Sequence, residues 1–406
     1  MNRLPLEVAD IVRAAGQQFI EHSRQWITGQ HRKVLRAIER CRTVALGWHV
    51  DQCTRCGYSG HSYNSCRNRH CPKCQANARR KWIEGRRKEL LPVPYAHVVF
   101  TVPRLLAPLA LQNKKLIYAL LLRLSAETLI EVARNPKHLG AEIGFFSVLH
   151  TWTQKMDHHP HVHCVVPAGG LSFDHRRWVS ANPRYRFFLP QKVLGIVFRG
   201  KLTEALEQAF ANHEITLRGK LQHLSDSKAF HAFVRQLFRH DWVIHCKRPF
   251  GGPEYVLKYL GRYTHRVAIS NHRLVSFTNG EVTFRWRDRA HGNRELPMTL
   301  KADEFLRRFL LHLLPKGFVR IRNFGYLAHR RRATLLPLCF QYLRSVPDTS
   351  ITQTQPEDIP DSGLWKCPKC GGPMIVVAWI SAPTRFPRSP PDNPIVVQES
   401  SLQVEL

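Results

Sequence analysis

The sequence predicts an α+β protein, an antiparallel-sheet core with flanking helices, preceded by a small zinc-ribbon-like module. Three observations carry that expectation. Cys53, Cys56, Cys66, Cys71 and Cys74 crowd into 22 residues, a density that suits a bound metal better than a hydrophobic core. Three β-branched, apolar runs follow: YAHVVFTV at 95–102, IGFFSVLHTWTQ at 143–154 and HVHCVVP at 161–167. Between and after them lie longer stretches with apolar residues at helical spacing.

In chain order, residues 1–45 read as helical, since EVADIVRAA and HRKVLRAIERC space their apolar residues every three or four positions. The segment CTRCGYSGHSYNSCRNRHCPKCQ holds two C-x2-C pairs separated by fourteen residues. Four thiolates at two tight turns suit tetrahedral Zn²⁺, so Cys53, Cys56, Cys71 and Cys74 are the expected zinc ligands, with Cys66 and His70 spare. QANARRKWIEGRRKELL reads as a basic helix able to contact phosphates. The strand at 95–102 precedes a helix over 105–134. The strands at 143–154 and 161–167, joined by the polar turn KMDHHP, form an antiparallel hairpin. Helices are expected at 191–212 and 226–239, then a strand in WVIHCKRPF. HRLVSFTNGEVTFRWRD places alternating runs on either side of Asn279-Gly280, a two-residue hairpin turn. ADEFLRRFLLHLL is an amphipathic helix, and KGFVRIRNFGYLAHRRR mixes arginines with aromatics. Cys367 and Cys370 form half a zinc knuckle with no second C-x2-C after it, and the proline-rich stretch SAPTRFPRSPPDNP reads as a disordered tail.

The charge narrows the partner. Sixty-one lysines and arginines against thirty acidic residues give a net charge of +31. Such self-repulsion points to a polyanion, most simply nucleic acid. No apolar run approaches the roughly 18 residues of a membrane span, and the start lacks a signal peptide's apolar segment. Clustered C-x2-C pairs point to metal, and a soluble, cytoplasmic protein is expected.

The chemistry concentrates in two places. On a strand, His161 and His163 share one face while Val162 points into the core. Two imidazoles make most of a metal site, and a third ligand would come from the neighbouring strand, where His150 and Gln154 share a face by parity. The second place is GGPEYVLKYLGRYTHR, in which Tyr255, Tyr259 and Tyr263 recur every four residues. On a helix such positions are neighbours about 6 Å apart along the axis. Two phenol hydroxyls there can reach a single phosphate, and Lys258, Arg262 and Arg266 supply cations beside them. Arg330, Arg331 and Arg332, following Phe318, Phe324 and Tyr326, suit single-stranded DNA through phosphate pairing and base stacking.

These residues together resemble a known family. HPHVH is similar to the histidine–hydrophobe–histidine motif of HUH endonucleases, and YLGRY to their tyrosine motif in its two-tyrosine form. YNSCRNRHCPKCQ resembles the zinc-binding front of bacterial two-tyrosine rolling-circle insertion-sequence transposases, as do AHVVFTVP, LHTWTQ and YLGRYTHRVAISNHRL. The resemblance runs from about residue 30 to 335 in the same order. It implies a transposase that cuts and rejoins single-stranded DNA at element ends and at the target. His161, His163 and a third ligand, His150 or Gln154, would hold catalytic Mg²⁺ or Mn²⁺. A tyrosine would attack the phosphate, leaving a 5′-phosphotyrosine and a free 3′-OH. Tyr259 and Tyr263 match the motif, but Tyr255 and Tyr259 have the same spacing, so either pair is open. The implied divisions are a helical, zinc-binding DNA-binding module at 1–90 and an HUH nuclease domain at 91–290. A basic DNA-contacting extension occupies 291–345, and a C-x2-C knuckle with a disordered tail occupies 346–406. A bacterial, nucleoid-associated location follows from the same resemblance.

Three other readings compete. A plasmid replication initiator or relaxase would use the same chemistry. A zinc-dependent DNA-binding protein would need only the cysteines and the charge. His159, His161 and His163 also fit the histidine-triad pattern of nucleotide hydrolases, which leaves the cysteines and tyrosines without a role.

Overall fold

The computed structural model describes residues 6–181, 188–239, 242–246, 256, 268–288, 291–344 and 366–382, with 76–81 described in backbone only. The chain runs through α1 (Val8–His22), α2 (Gly29–Arg40), β1 (Trp48–Cys53), β2 (Ser59–Tyr63), α3 (Pro72–Arg87) and β3 (Tyr95–Phe100). Next come α4 (Ala107–Gln112), α5 (Lys114–Arg134), β4 (Gly144–Trp152), β5 (His158–Pro167), β6 (Gly169–Leu171) and β7 (Trp178–Ser180). Then follow α6 (Gln191–Ala211), α7 (Ser227–Arg239), β8 (Ile244–Cys246), β9 (Leu274–Thr278), β10 (Glu281–Asp288) and β11 (Arg294–Lys301). The last elements are α8 (Ala302–Leu311), β12 (Ile321–Gly325), α9 (His329–Arg344) and β13 (Met374–Ile380). Two compact units result: Met1–Glu39 with Arg67–Ile359, and Arg40–Cys66 with Pro360–Leu406. The mixture of helices and antiparallel sheets is the α+β class the sequence predicts.

The larger unit is built on a five-stranded sheet in the order β12-β4-β5-β3-β8, with every neighbouring pair antiparallel. Alternation along the strands gives this sheet two chemically different faces. Val98, Phe100, Phe145, Leu149, Val162, Cys164 and Val166 point one way, into a core shared with Ile117, Leu121 and Leu129 of α5 and Phe198 and Leu202 of α6. Truncating a ring such as Phe100 there would cost about 3–5 kcal/mol. The opposite face is apolar over part of its area only: Tyr95, Phe146, Val148 and Val165 pack with Tyr326 and with Leu335, Leu336 and Cys339 of α9. Beyond that patch, His97, His150, His161 and His163 occupy the same parity positions.

The expected helix over 105–134 is interrupted. Asn113 ends α4, and its side chain donates to Leu109 O and accepts from Thr216 N at 2.7 Å, a use of the amide that favours a break. His158 and His159, expected in a turn, begin β5 instead. The His158 ring, half-buried, is hydrogen-bonded to the Tyr118 hydroxyl at 2.7 Å. The Asn279-Gly280 hairpin forms as expected, with φ of +52° and +74°. Val282 and Phe284 of β10 are buried, and the Phe284 ring meets Phe305 of α8 edge-on with centroids 6.1 Å apart.

Two buried histidines make this unit acid-sensitive. His312 donates from Nε2 to Met156 O and meets Thr151 Oγ1 through Nδ1. Burial lowers its pKa to about 4, and burial together with Arg69 lowers that of His70 to about 3. Above pH 6.5 both are neutral whether folded or unfolded, so they contribute no slope there. Between pH 6.5 and 4 the unfolded chain binds protons that the folded chain refuses. Stability therefore falls as pH falls, by about 1.4 kcal/mol per unit for each group. A melting series from pH 8 to 4 should show this decline, and His312→Gln should make it shallower.

The smaller unit is a three-stranded antiparallel sheet in the order β13-β1-β2. In register, Cys53 of β1 faces Met374 and His49 faces Trp379. Of the segment expected as a knuckle and tail, 366–382 thus supplies a strand, while 383–406 lies outside the described residues.

Candidate active site

β4 and β5 put His150 directly opposite His161, and His163 two residues further along the same face. The ligand atoms of the three imidazoles all lie within 4.8 Å of one another. Ring centroids are 4.3 Å apart for His150 and His163, 4.9 Å for His161 and His163, and 5.6 Å for His150 and His161. Ligand atoms bound to one ion at about 2.1 Å lie no more than about 4.2 Å apart, so three imidazoles gathered this closely need only a small contraction to enclose one. His150 and His163 are buried and His161 is half-exposed, so the trio opens toward solvent at His161.

Each ring is held by a different device. The Nδ1 of His161 lies 2.7 Å from His159 O, which requires it to carry the proton and leaves the Nε2 lone pair for a ligand. The His163 Nδ1 lies 2.8 Å from the Nε2 of His97, with the two rings stacked at 12°. His150 stacks on Trp152 with centroids 4.7 Å apart. The donor set fits a divalent metal: three imidazoles, with bonds at two of the Nδ1 atoms orienting their rings. Of the candidate third ligands, His150 joins the cluster. Gln154 lies in the turn after β4, where its carbonyl accepts from Arg273 Nη2 at 2.6 Å.

His97 is the residue that the sequence reading missed. The signal was available, since in YAHVVFTV it shares parity with Tyr95 and Val99 on a strand that pairs with HVHCVVP. Removing a partner that orients a metal-bound imidazole costs roughly 10–100-fold in metal affinity. His97→Ala should weaken Mn²⁺ binding by about that factor, measured by titration calorimetry, while the fold survives.

Tyr255, Tyr259, Tyr263, Lys258, Arg262 and Arg266 lie outside the described residues. Within that segment, Val256 is described. It is fully buried and belongs to the apolar cluster on the histidine-bearing face, with Val148 and Val165.

The arginines of α9 have diverse surroundings. Arg330 is exposed. Arg331 grips Glu142 with its two terminal guanidinium nitrogens, and Arg332 pairs with Glu89 at 3.0 Å. Burial alone would raise the Glu142 carboxyl, but His175 and Arg331 outweigh it and hold it below its ordinary range. Surface pairs of this kind contribute about 0–1 kcal/mol. The neighbouring aromatics are core residues, not stacking platforms. Phe318 and Tyr326 are buried, and Phe324 stacks on Phe145.

The cysteines do not group as the spacing suggests. Cys53 and Cys56 come together with Cys367 and Cys370 in the smaller unit. Cys71 immediately precedes α3 and Cys74 sits in its first turn, both buried and both in the larger unit.

Residues 144–334 match the family described as "Putative transposase", and residues 11–102 match the "Transposase zinc-binding domain". The chain is 49% identical over 396 residues to "Putative transposase y4qJ" of Sinorhizobium fredii, an alignment covering 96% of this chain and 99% of that one. It is 30% identical over 351 residues to the transposase for insertion sequence element IS801 of Pseudomonas savastanoi pv. phaseolicola, covering 85% and 82%. No solved structure matches the chain at a significant level.

Proposed function

Since the chain belongs to the family of transposases that carry an N-terminal transposase zinc-binding domain, we propose that it cuts and rejoins single-stranded DNA by metal-assisted tyrosine attack. The observation that carries this reading is a shared sheet face. His150, His161 and His163 project from the face against which Val256 is packed, one residue after Tyr255 and three before Tyr259.

In this reading His150, His161 and His163 bind the ion, and His97 and the His159 carbonyl orient two of the rings. An ion there would polarise the scissile phosphate and neutralise charge as it develops. Three nitrogen donors without a carboxylate favour Mn²⁺ over the oxygen-seeking Mg²⁺. Tyr259 is the nucleophile: its Oη bonds to phosphorus, its proton passes to water, and the P–O3′ bond breaks. The leaving oxygen takes a proton and becomes the free 3′-OH, while the 5′-phosphate stays on the tyrosine. Tyr263, or Tyr255 if that pair acts, serves the second cleavage or accepts the strand in turn. The bond energy is conserved in the phosphotyrosine, so rejoining needs no nucleotide. The chain lacks the GxxxxGK[ST] phosphate loop.

Lys258, Arg262, Arg266 and the α9 arginines are proposed to hold the phosphate backbone. The partner is single-stranded DNA at element ends and target, and the location is the cytoplasm, at the nucleoid. No helix among the described residues is long and apolar enough to cross a membrane. The test is cleavage of labelled oligonucleotides spanning the element ends, offered as either single strand or as duplex, with Mn²⁺ and with Mg²⁺. Cleavage of one single strand at one position, faster in Mn²⁺, is the expected result. Tight binding with no cleavage in either metal would reduce the protein to a DNA-binding module.

A further inference from the structure

We propose that Cys53, Cys56, Cys367 and Cys370 form a tetrathiolate Zn²⁺ site that ties the C-terminal segment of the chain to its N-terminal part. The four sulfurs lie within 4.8 Å of one another. Cys53 and Cys370 approach to 3.5 Å, as do Cys56 and Cys367.

The two cysteine pairs are built alike although some 310 residues separate them. Each has the form C-x2-C-G, and the glycines Gly57 and Gly371 take φ of +69° and +68°. In each, that glycine's N–H bonds the first cysteine's carbonyl, Gly57 to Cys53 at 3.1 Å and Gly371 to Cys367 at 2.9 Å. In each, the first cysteine's N–H bonds the carbonyl five residues on, Cys53 to Tyr58 at 2.8 Å and Cys367 to Gly372 at 2.7 Å. Backbone N–H groups also point at sulfur: Arg55 N to Cys53 and Gly372 N to Cys370, both at 3.4 Å. Such donors stabilise thiolates, the form a metal binds. A side chain at Gly372 would strike Arg55 Cβ at 2.9 Å and the sulfurs of Cys53 and Cys370 at 3.2 Å, so the backbone is moulded to the thiol cluster.

Energetics point the same way. Among the described residues of this unit no aliphatic or aromatic side chain is buried. The buried residues are cysteines, glycines and Asp51. Ile375, Val377 and Trp379 of β13 are exposed, Trp379 by 71%. A three-stranded sheet without an apolar core needs another source of stability, and a structural metal supplies it. Four sulfur donors at two turns match tetrahedral Zn²⁺.

The proposal is tested on the full chain in two ways. Metal content is measured for wild type and for Cys367→Ser/Cys370→Ser, and the variant should hold one equivalent of zinc less. Because that variant can misfold, wild type is also alkylated with iodoacetamide, with and without a strong chelator, and its peptides are quantified. Cys56 is exposed and Cys370 half-exposed, so without metal both should react readily. Bound to zinc, they should react at least about 10-fold more slowly and be released together by the chelator. Equal alkylation with and without chelator, unchanged zinc in the variant, or a wild-type mass about 4 Da low before reduction, signifying two disulfides, would each overturn the proposal.

Discussion

His161→Ala is expected to lose single-strand cleavage by at least about 10³-fold while still binding the same oligonucleotide. A thousandfold corresponds to about 4 kcal/mol of transition-state stabilisation, the several kcal/mol supplied by a Lewis acid at a scissile phosphate. His161 is the half-exposed member of the trio, with its Nδ1 committed to the His159 carbonyl. Its Nε2 is thus the ligand atom nearest to where a phosphate can enter. Binding should change by less than about threefold, because a net charge of +31 draws DNA whether or not one histidine is present. His150→Ala should give the same kinetic loss together with some loss of stability, since that ring is buried against Trp152. Excess Mn²⁺ should restore His97→Ala and leave His161→Ala inactive, which separates an orienting residue from a ligand. Cleavage by His161→Ala within tenfold of wild type would remove the metal from the mechanism.

Tyr259→Phe should abolish the covalent protein–DNA product and leave both metal and DNA binding intact. The substitution removes one oxygen and keeps the ring, so the attacking atom is all that is lost. Tyr259 belongs to both possible tyrosine pairs, so its loss should be the most severe of the three. If Tyr259 and Tyr263 act together, Tyr263→Phe should still form an adduct but fail to complete strand transfer, and Tyr255→Phe should behave as wild type. If the pair is Tyr255 and Tyr259, those two single variants exchange roles. A full yield of adduct from Tyr259→Phe would exclude it as the nucleophile.

Much of this was legible in the sequence because it depends on local periodicity. HVHCVVP and IGFFSVLHTW read as strands from their β-branched and aromatic content, and the two-residue period of a strand pair brings His150, His161 and His163 to one face without tertiary detail. Asn279-Gly280 fixes its hairpin through backbone preference alone. What failed to show depended on long-range pairing. Cys53 and Cys56 have an apparent partner fifteen residues on, at Cys71, and spacing cannot weigh that pair against Cys367 and Cys370. Only the pairing of β1 with β13 decides it. His97 was hidden for the same reason: its meaning depends on the register of β3 against β5, which sets Val99 opposite His163 and His97 opposite Val165. The aromatics near Phe318 and Tyr326 misled because arginine beside aromatic reads equally as a DNA-stacking surface or a core edge, and burial distinguishes them.

The measurement that bears most directly on the central claim is the chemical identity of the protein–DNA bond. Wild-type protein would be incubated with Mn²⁺ and a single-stranded oligonucleotide carrying an element end, the adduct digested with protease and nuclease, and the modified peptide sequenced by mass spectrometry. A nucleotide joined through its 5′-phosphate to Tyr259, with a free 3′-OH on the released strand, is the predicted result. A cleaved strand with no peptide attached, or a phosphate on histidine or serine, would contradict tyrosine attack and assign the three imidazoles to a different reaction.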